Sequence, residues 1–545
     1  MATNILGIGK SALTAAQVGL NTTGHNIANA STPGFSRQVM VQGAAEAQNF
    51  GFGFLGQGVQ VATVRRIYSE HLATQVQSAQ ANQSGLASYH AQIRQINDML
   101  ADPAAGVSPA LQGFFSSVQD LASAPASMPA RQSVLSSAES LAGRIRGMDS
   151  RLTEIERGVN SQLVSSVSVV NAYAREIAAL NDAISKAQGA TGQPPNDLLD
   201  QRDQLVLDLN KEIKATVVKQ GDGEYNVFVG NGQPLVVGTH TRPLVAVSSP
   251  TNPSRLEIGY RADNGSTVMI GDAGLAGGKI GGLVQFRNEA LNPAQNALGR
   301  VAIGLAATFN AQHQAGFDLT GTAGGAFFAV GGPIVGASGH NTGSGVVSAI
   351  LASAGALTTS DYLLNFDGTN YTVTRLSDNT VSTHASLPQT VDGVQISLAS
   401  GTPAAGDAFL IRPTAQGAAG FAVAINDPSD IAAAGAAGAV GDNANALALA
   451  ALQTSNTLAG GTATYLGAYG QMVSQVGNKT RELEVISTAA TRLLDQSRFA
   501  MQSESGVNLD EEATNLLRYQ QAYQAAAKVM QIAQDLFNTL LTIGR

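Results

Sequence analysis

The chain ends in a stretch, residues 509–543, that reads LDEEATNLLRYQQAYQAAAKVMQIAQDLFNTLLTI. Its apolar side chains recur with the seven-residue spacing that is typical of a helix with a contact seam, where positions a and d face a partner. With Leu509 at position a, the first d position is Glu512, the one charged residue in the seam. Such a helix spans roughly 50 Å at ~1.5 Å per residue, too long to pack across one small core. The stretch therefore predicts a helix that pairs with an equally long or repeated partner.

The seam of this helix carries residues that we expect at an interface between copies of the chain. They are Leu509, Leu516, Tyr519, Tyr523, Met530, Phe537 and Leu540. A second apolar row, at position g, widens the stripe and consists of Ala522, Val529, Leu536 and Ile543. Because lone helices at chain ends normally fray, we expect this helix to become ordered through contacts made on assembly.

The beginning of the chain supplies a partner for this seam. Larger apolar residues recur there every seven positions, and we expect them at the same interface: Leu6, Leu13, Leu20 and Ile27. A small residue stands three positions after each of the first three, which allows close approach of two helix backbones: Gly9, Ala16 and Thr23. The alternative is that both terminal stretches are ordinary core helices.

Composition limits the classes of protein to consider. The length of 545 residues suggests three to four domains. With 44% hydrophobic but only 5% aromatic residues, the core must consist mainly of Ala, Leu, Val and Ile. The net charge of −8 argues against a nucleic-acid-binding protein, for which a basic face is expected. The absence of cysteine excludes a disulfide framework and a thiolate metal site.

The period of the apolar pattern changes several times along the chain, between a helical period and the two-residue period of strands. The order is helix, β, helix, β, helix, and the predicted fold class is α+β multidomain. Long terminal α-helices pair as a coiled coil, an α-helical rod domain follows, and all-β domains are inserted into it. We expect a terminal coiled-coil domain from 1–40 and 507–545, a rod domain from 41–212, 279–320 and 427–506, a β domain at 213–278 and a second, outer β domain at 321–426.

Motifs for catalysis or cofactor binding are weak in this sequence. Residues 51–56, GFGFLG, match the glycine spacing of a dinucleotide-binding loop, but the predicted strand follows the match instead of preceding it. The seven histidines never stand at a metal-binding spacing. Asp197, Asp200, Asp203 and Asp208 cluster near a helix start, where capping and a solvated face explain them better than acid–base chemistry. We therefore predict no catalytic residue, no metal site and no cofactor.

Two terminal signatures indicate a family. Residues 20–37, LNTTGHNIANASTPGFSR, resemble the N-terminal signature of the flagellar axial proteins, which form the rod, the hook and the hook–filament junction. Residues 505–513, SGVNLDEEA, and 517–523, LRYQQAY, are similar to the signature at the other end of these proteins. Three internal stretches resemble the junction members of the family: 196–203 (NDLLDQRD), 310–319 (NAQHQAGFDL) and 427–432 (DPSDIA).

The resemblance implies a structural subunit that is not an enzyme. Members of the family are exported unfolded through the flagellar type III channel without cleavage of a signal, and they assemble outside the cell. The implied partners are the hook protein, a second hook–filament junction protein, further copies of the chain, and an export chaperone at the C-terminal helix. Terminal helices are implied to form an inner tube, with the β domains facing solvent. No nucleic acid or membrane is expected as a partner.

The first residues of the chain agree with export of this kind. Met1 to Lys10 lack the cationic segment and apolar core of a cleaved secretory signal. No uninterrupted apolar run is long enough to span a bilayer. The alternative function is a secreted enzyme or carbohydrate-binding protein whose site lies in a β insert.

Overall fold

A computed structural model describes residues 2–49, 51, 53–100, 102, 106–221, 223–262 and 264–543, except for the side chains of residues 2–4, 540 and 543. Its α-helices are α1 (Ala2–Asn29), α2 (Glu70–Leu100), α3 (Val107–Ser123), α4 (Met128–Thr191), α5 (Asn196–Glu212), α6 (Gly278–Phe286), α7 (Asn292–Gln314), α8 (Ala444–Ala451), α9 (Tyr465–Ser505) and α10 (Leu509–Ile543). The α+β class and the alternation of helical and β regions are confirmed.

The strands of the described residues all pair antiparallel. They are β1 (Gln38–Ala44), β2 (Gln48–Asn49), β3 (Phe54–Leu55), β4 (Val59–Arg66), β5 (Ala215–Lys219), β6 (Tyr225–Val229), β7 (Gln233–Val237), β8 (His240–Thr241), β9 (Leu244–Ser248), β10 (Leu256–Arg261), β11 (Thr267–Met269), β12 (Phe328–Ala329), β13 (Ile334–Ala337), β14 (Val346–Leu351), β15 (Tyr362–Phe366), β16 (Tyr371–Arg375), β17 (Thr380–His384), β18 (Gln389–Val391), β19 (Val394–Ser400), β20 (Ala408–Arg412) and β21 (Ala422–Val423). The larger sheets have the orders β5-β6-β7-β8, β11-β10-β9, β13-β20-β15-β16-β17 and β14-β19-β18.

Helix α4 is the spine of the rod. Its 64 residues begin at a capped N-terminus, where the Ser127 hydroxyl accepts a hydrogen bond from the backbone N–H of Ala130. They end at Thr191 and are followed by Gly192, whose φ of 66° glycine adopts at little cost. Along one face it buries apolar side chains in the same cluster as side chains of α2, α3 and α7. Rings from three of these elements, including Tyr89, Phe114 and Phe309, are fully buried in the same cluster. One continuous core therefore holds the rod helices together.

The inner β sheets, β5 to β11, are fastened to α4 by side-chain amides. Asn171 donates to the backbone carbonyl of Leu244 and accepts from its N–H, and Asn181 makes the same pair of bonds with Tyr225, over 2.8 to 3.1 Å. Asn181 also donates to the carbonyl of Gly238. Apolar side chains of β6 and β7, such as Val227, lie in the rod core. Because a two-way amide contact satisfies an otherwise unpaired strand edge, these sheets belong to the rod and do not form a separate core.

Two of the stretches that carry the family resemblance meet at the end of α7. The Asn310 amide donates to the carbonyl of Phe328 and accepts from the N–H groups of Phe327 and Phe328. His313 is fully buried, and its Nε2 accepts from the N–H of Ala432. Burial lowers the pKa of His313, which agrees with a neutral ring that joins these segments.

The outer β region has a core of its own. Side chains such as Leu364, Val373, Ile396 and Phe409 form a cluster separate from the rod core, and Ile303 of α7 is the one rod residue among its buried members. The chain enters and leaves this region at neighbouring points, since a Cβ placed on Gly331 would lie 2.5 Å from the carbonyl oxygen of Gln416. The outer sheets are therefore expected to be removable as a unit.

Replacing residues 333–414 by a short Gly/Ser bridge is expected to leave the rod folded, because these strands contribute little to the rod core. Circular dichroism should show that the helical signal per molecule is retained. As a control, deleting β6 and β7, whose side chains lie in the rod core, is expected to unfold the rod. Loss of the helical signal in the first variant would show that the outer strands are part of the rod.

The structure differs from the sequence-based expectations at three places. Residue 40, the expected end of the terminal domain, lies inside β1, which pairs with β4 along α1. The sequence predicts a helix from Ile280 to about Ala315 with a break at Pro293, but the structure has a π-helical turn, Arg287–Leu291, that keeps α6 and α7 continuous. The sequence predicts that helix resumes at Asp427, but the next α-helix begins only at Ala444, after one 3-10 turn at Pro428–Asp430. The limits of the domains stay predictions.

Candidate functional site: the paired terminal helices and their joint with the rod

Helices α1 and α10 pack against each other along their length within one chain. Small residues of α1 receive large side chains of α10. A Cβ on Gly9 would lie 2.8 Å from the sulfur of Met530, and a Cβ on Gly19 would lie 2.6 Å from the Tyr519 ring. Because a side chain at either glycine would displace Met530 or Tyr519, the small residues of α1 allow the close pairing.

The buried row of α10 is narrower than the predicted seam. Ala526 and Ala533 are 5% and 0% exposed, and Glu512 is 2% exposed. All three are d positions of the heptad. Tyr523 and Phe537, at a positions, remain 37% and 40% exposed. In a single chain, therefore, these three d residues are buried, whereas part of the a row faces solvent.

The predicted interface residues fall into two groups in the single chain. Leu6, Leu13, Leu20, Tyr519 and Met530 are half-buried. The exposed members are Ile27, Leu509, Leu516, Tyr523 and Phe537. The side chain of Leu540 lies outside the described residues. Contacts of Tyr519 and Met530 with α1 are intramolecular, and the role of the whole set in assembly stays a prediction.

A clasp of one arginine and two glutamates joins the end of the α1 region to the start of α10. The Nε of Arg37 lies 2.7 Å from Oε1 of Glu512, and its Nη1 lies 2.7 Å from Oε2 of Glu511. The backbone N–H of Arg37 donates to the carbonyl of Ser505, the last residue of α9. Both glutamates stand in the first turn of α10, where the helix dipole favours negative charge. The residue that interrupts the apolar seam is thus a buried ion-pair partner.

A second charged group lies next to the clasp and joins β4 to α5. Arg66 Nη1 lies 2.7 Å from Asp200 and 2.6 Å from Asp203. Burial lowers the pKa of Arg66, but attraction to the two carboxylates outweighs burial and raises that pKa overall. Asp200 also accepts the N–H of Ser36 at 2.9 Å. Asp200 and Asp203 are therefore structural ion-pair partners, and the expectation of a solvated face was wrong for these two.

Polar residues of the N-terminal signature make hydrogen bonds at the joint, the place where the paired terminal helices meet the rod. Asn26 is buried, and its amide both donates to the carbonyl of Gln38 and accepts from the Gln38 N–H, each over 2.9 Å. The Gln38 side chain donates to Asp197 at 2.7 Å. His25 lies 3.2 Å from the same carboxylate. These contacts fix the angle at which the paired terminal helices leave the rod.

A stripe of apolar residues on α10 lies outside the α1–α10 contact. Val529, Ile532 and Leu536 are 39%, 50% and 48% exposed. Their spacing of three and four residues places them on one face of the helix. A row of adjacent apolar side chains left open to solvent marks a surface that another molecule covers.

Sequence reasoning missed Arg37, Arg66 and Asp200 as key residues of the joint. The one available signal was Glu512, a charge at a d position of an otherwise apolar seam. Its partner stands 475 residues away in the chain, and spacing alone does not connect the two.

Replacing Glu512 by Gln is expected to weaken the clasp, because the substitution keeps the shape but removes the charge of a buried acceptor. We expect the free energy of opening α10 to fall by about 1–3 kcal/mol, measured by hydrogen exchange of α10 amides. Glu511→Gln, at a side chain that is 56% exposed, should cost at most about 1 kcal/mol. Equal effects of the two substitutions would contradict the assignment of Glu512 as the buried partner.

Comparison with family models connects this geometry to known proteins. Residues 93–328 match the helical domain of flagellar hook-associated protein FlgK, and 337–413 match the D2-like domain of flagellar hook-associated protein 1. The two ends, 6–35 and 500–543, match the flagella basal body rod protein and the C-terminal region of the flagellar basal body rod FlgEFG proteins. The flagellar hook-associated protein 1 of Escherichia coli K12 is 37% identical over 98% of both chains.

The chain belongs to the flagellar hook-associated protein 1 family. The hook-associated protein 1 of Salmonella typhimurium is 38% identical over 98% of both chains, and that of Bacillus subtilis is 24% identical over 97% of this chain and 96% of its own. The solved flagellar hook junction protein FlgK of Burkholderia pseudomallei is 30% identical, with a TM-score of 0.75 over 79% of this chain and all of its own.

As a member of the hook-associated protein 1 family, the chain is a flagellar protein with a structural role at the hook–filament junction. Its named relatives are flagellar hook-associated proteins, and the alternative of an enzyme or a carbohydrate-binding protein finds no support among them. Among the described residues, no helix has the length and hydropathy needed to cross a membrane.

Proposed function

We propose that the chain is a mechanical connector without catalytic activity. Its copies assemble side by side through their paired terminal helices, bind the hook protein on one side and a second hook–filament junction protein on the other, and do so outside the cell after export. The observation that carries the proposal is the open apolar stripe Val529, Ile532 and Leu536, which α1 leaves uncovered.

The energetics of this stripe favour assembly over a stable small oligomer in solution. Fully burying a Val, Leu or Ile side chain contributes about 1.5–3 kcal/mol. The three side chains are already half-covered, so each offers roughly half of that on contact. The free energy gained from one such contact between two copies is small compared with the cost of the translational freedom that is lost on association. Several neighbours at the growing tip are needed, which suits a subunit that associates stably only in the polymer.

The same stripe supports the proposed binding of an export chaperone. A helix with an exposed apolar row is the usual target of a groove-shaped partner. The chaperone would cover Val529, Ile532 and Leu536 before export and release them for the neighbouring subunit afterwards. Chaperone binding and assembly are therefore mutually exclusive on this face.

An Ile532→Glu substitution tests the proposal. We expect the isolated protein to keep its thermal midpoint, because Ile532 is half-exposed in the single chain, but at least about tenfold fewer copies should be found per purified hook, and filaments should be missing. The matched control is Gln534→Glu, at an exposed neighbour on the same helix, for which normal filaments are expected.

The stripe has two proposed roles, in assembly and in chaperone binding. They can be distinguished by where the Ile532→Glu protein accumulates. Protein released into the medium indicates that assembly fails, and protein retained in the cell indicates that chaperone-assisted export fails. Normal filaments on cells that carry Ile532→Glu would overturn the proposed assembly surface.

A further inference from the structure

Helix α1, strands β1 and β4, and helix α10 form one packed body, which we call the terminal unit. Among the described residues, α10 has an extended packing contact only with α1, and α1 has such contacts only with α10, β1 and β4. Strands β1 and β4 pair with each other. In the same part of the chain, no element of the terminal unit packs extensively against the rod, which runs from α2 to α9. Individual side chains therefore hold the two bodies together.

The hydrophobic core does not cross the boundary between these two bodies. Within the described part of the chain, neither the rod core nor the smaller cluster around Val76 and Leu494 contains a side chain of the terminal unit. Buried apolar residues of the terminal unit, such as Ala16 and Ala533, belong to neither cluster. Two bodies that share no large apolar interface are expected to move relative to each other.

The contacts that do cross the boundary converge on one face of α5. Asn196, Asp200 and Asp203 stand three or four residues apart, so they lie on the same side of this helix. Asn196 donates to the carbonyl of Val64 at 2.9 Å, and both carboxylates lie within 2.7 Å of Arg66. Buried apolar side chains of α5 lie in the rod core. Helix α5 is thus fixed to the rod and presents a polar face to the terminal unit.

Open clefts surround this polar face. One cleft of about 570 Å³ lies between residues 30–36 and the helices α2, α5 and α9. A second, of about 760 Å³, lies between residues 25–35 and the helices α4 and α5, and a third, of about 720 Å³, lies between β4 and residues 193–198. Protein interiors are close-packed and leave few spaces larger than a water molecule. The terminal unit consequently has room to tilt about its contacts with α5.

We infer that α5 is a pivot on which the terminal unit tilts as a rigid body, and that Arg66 is the positioning residue that sets its resting angle. Arg66 stands at the end of β4 and binds two carboxylates of α5, so its contacts hold one angle. Only residues 67–69 and 506–508 connect the helices and strands of the two bodies along the chain. A hinge needs only a few such residues to absorb a change of backbone angles.

A change of tilt has a low cost in this arrangement. It exchanges polar contacts at α5 for contacts with water, and it exposes no shared apolar core. Both bodies therefore stay folded while the angle between them changes. The inference concerns the single chain and does not depend on the proposed assembly. In the proposed connector, such a joint lets the rod follow a bend while the terminal helices keep their neighbours.

The absence of cysteine from the chain allows two spin labels to be attached at chosen positions of the full-length protein. Ser168→Cys on α4 and Gln520→Cys on α10, both at exposed positions, report the distance between the two bodies. Lys10→Cys on α1, also exposed, combined with Gln520→Cys reports a distance within the terminal unit. Pulsed electron paramagnetic resonance measures the distribution of each distance. With Arg66 in place, we expect a narrow distribution for both pairs.

Arg66→Gln is expected to broaden the distance distribution between the bodies to at least about twice its width, because the charge that holds the resting angle is lost. The distribution within the terminal unit should not change. Arg66→Lys keeps a positive charge beside the two carboxylates and should retain a narrower distribution than Arg66→Gln. The matched control is Arg375→Gln, which removes an arginine that lies 2.7 Å from Asp392 in the outer β region and should leave both distributions unchanged.

Three outcomes overturn the inference. In the first, the distance between the bodies stays as narrowly distributed in the Arg66→Gln protein, which means that other contacts fix the tilt. In the second, the distance within the terminal unit broadens as well, which means that Arg66 holds the fold of this unit instead of its angle. In the third, Arg375→Gln broadens the distance between the bodies equally. All three concern the isolated protein and leave the proposed assembly, tested by Ile532→Glu in cells, unaffected.

Discussion

An Ala533→Glu substitution is expected to separate the two terminal helices and to abolish filament growth. Ala533 is 0% exposed and faces α1 in the single chain. A glutamate there either buries an unpaired charge, which costs several kcal/mol, or forces the helices apart. Because α10 makes its main contacts with α1, we expect the isolated protein to lose the helical signal of α1 and α10 at low temperature, while the rod retains its own thermal midpoint.

The matched control for this prediction is Ala527→Glu, on the same helix at an exposed position. Its isolated protein should keep the full helical signal. Circular dichroism of both proteins and electron microscopy of cells that carry Ala533→Glu provide the measurements. Intact helicity in the Ala533→Glu protein would mean that the terminal helices do not pair within one chain.

Gly282→Ala is expected to unfold the rod or to destabilise it by about 3 kcal/mol or more. A Cβ on Gly282 would lie 2.1 Å from the backbone carbonyl oxygen of Gly85, at the crossing of α6 and α2. A clash with a helix backbone cannot be relieved by a change of rotamer, so the two helices must move apart and open the core around them. Urea denaturation of the full-length protein measures the change.

A second glycine in a helix provides the control for Gly282. Gly143 of α4 is exposed, and a Cβ there meets nothing within 4 Å. Gly143→Ala should therefore stabilise the protein by up to about 1 kcal/mol, because alanine is the better helix former. Effects of the same sign and size at both positions would contradict the close helix crossing.

Much of the secondary structure was predictable from the period of the apolar residues. The heptad of α10 and the two-residue alternation of apolar residues in β4, β15 and β16 each describe a local property that the backbone follows. The π-helical turn at Arg287 was not predictable, since a proline at the start of α7 is compatible with either a break or a continuous helix.

Periodicity and short signatures are local, and for this reason they are enough to predict the fold class, the family and the apolar faces of the terminal helices. Which row of each face is buried depends on tertiary contacts: Ala533 faces α1, whereas Ile532 next to it faces solvent. Tertiary contacts also join Arg37 to Glu512 and Arg66 to Asp200. An amphipathic pattern indicates that one face of a helix needs a partner. Which partner it has depends on packing and charge contacts between residues that are far apart in the chain.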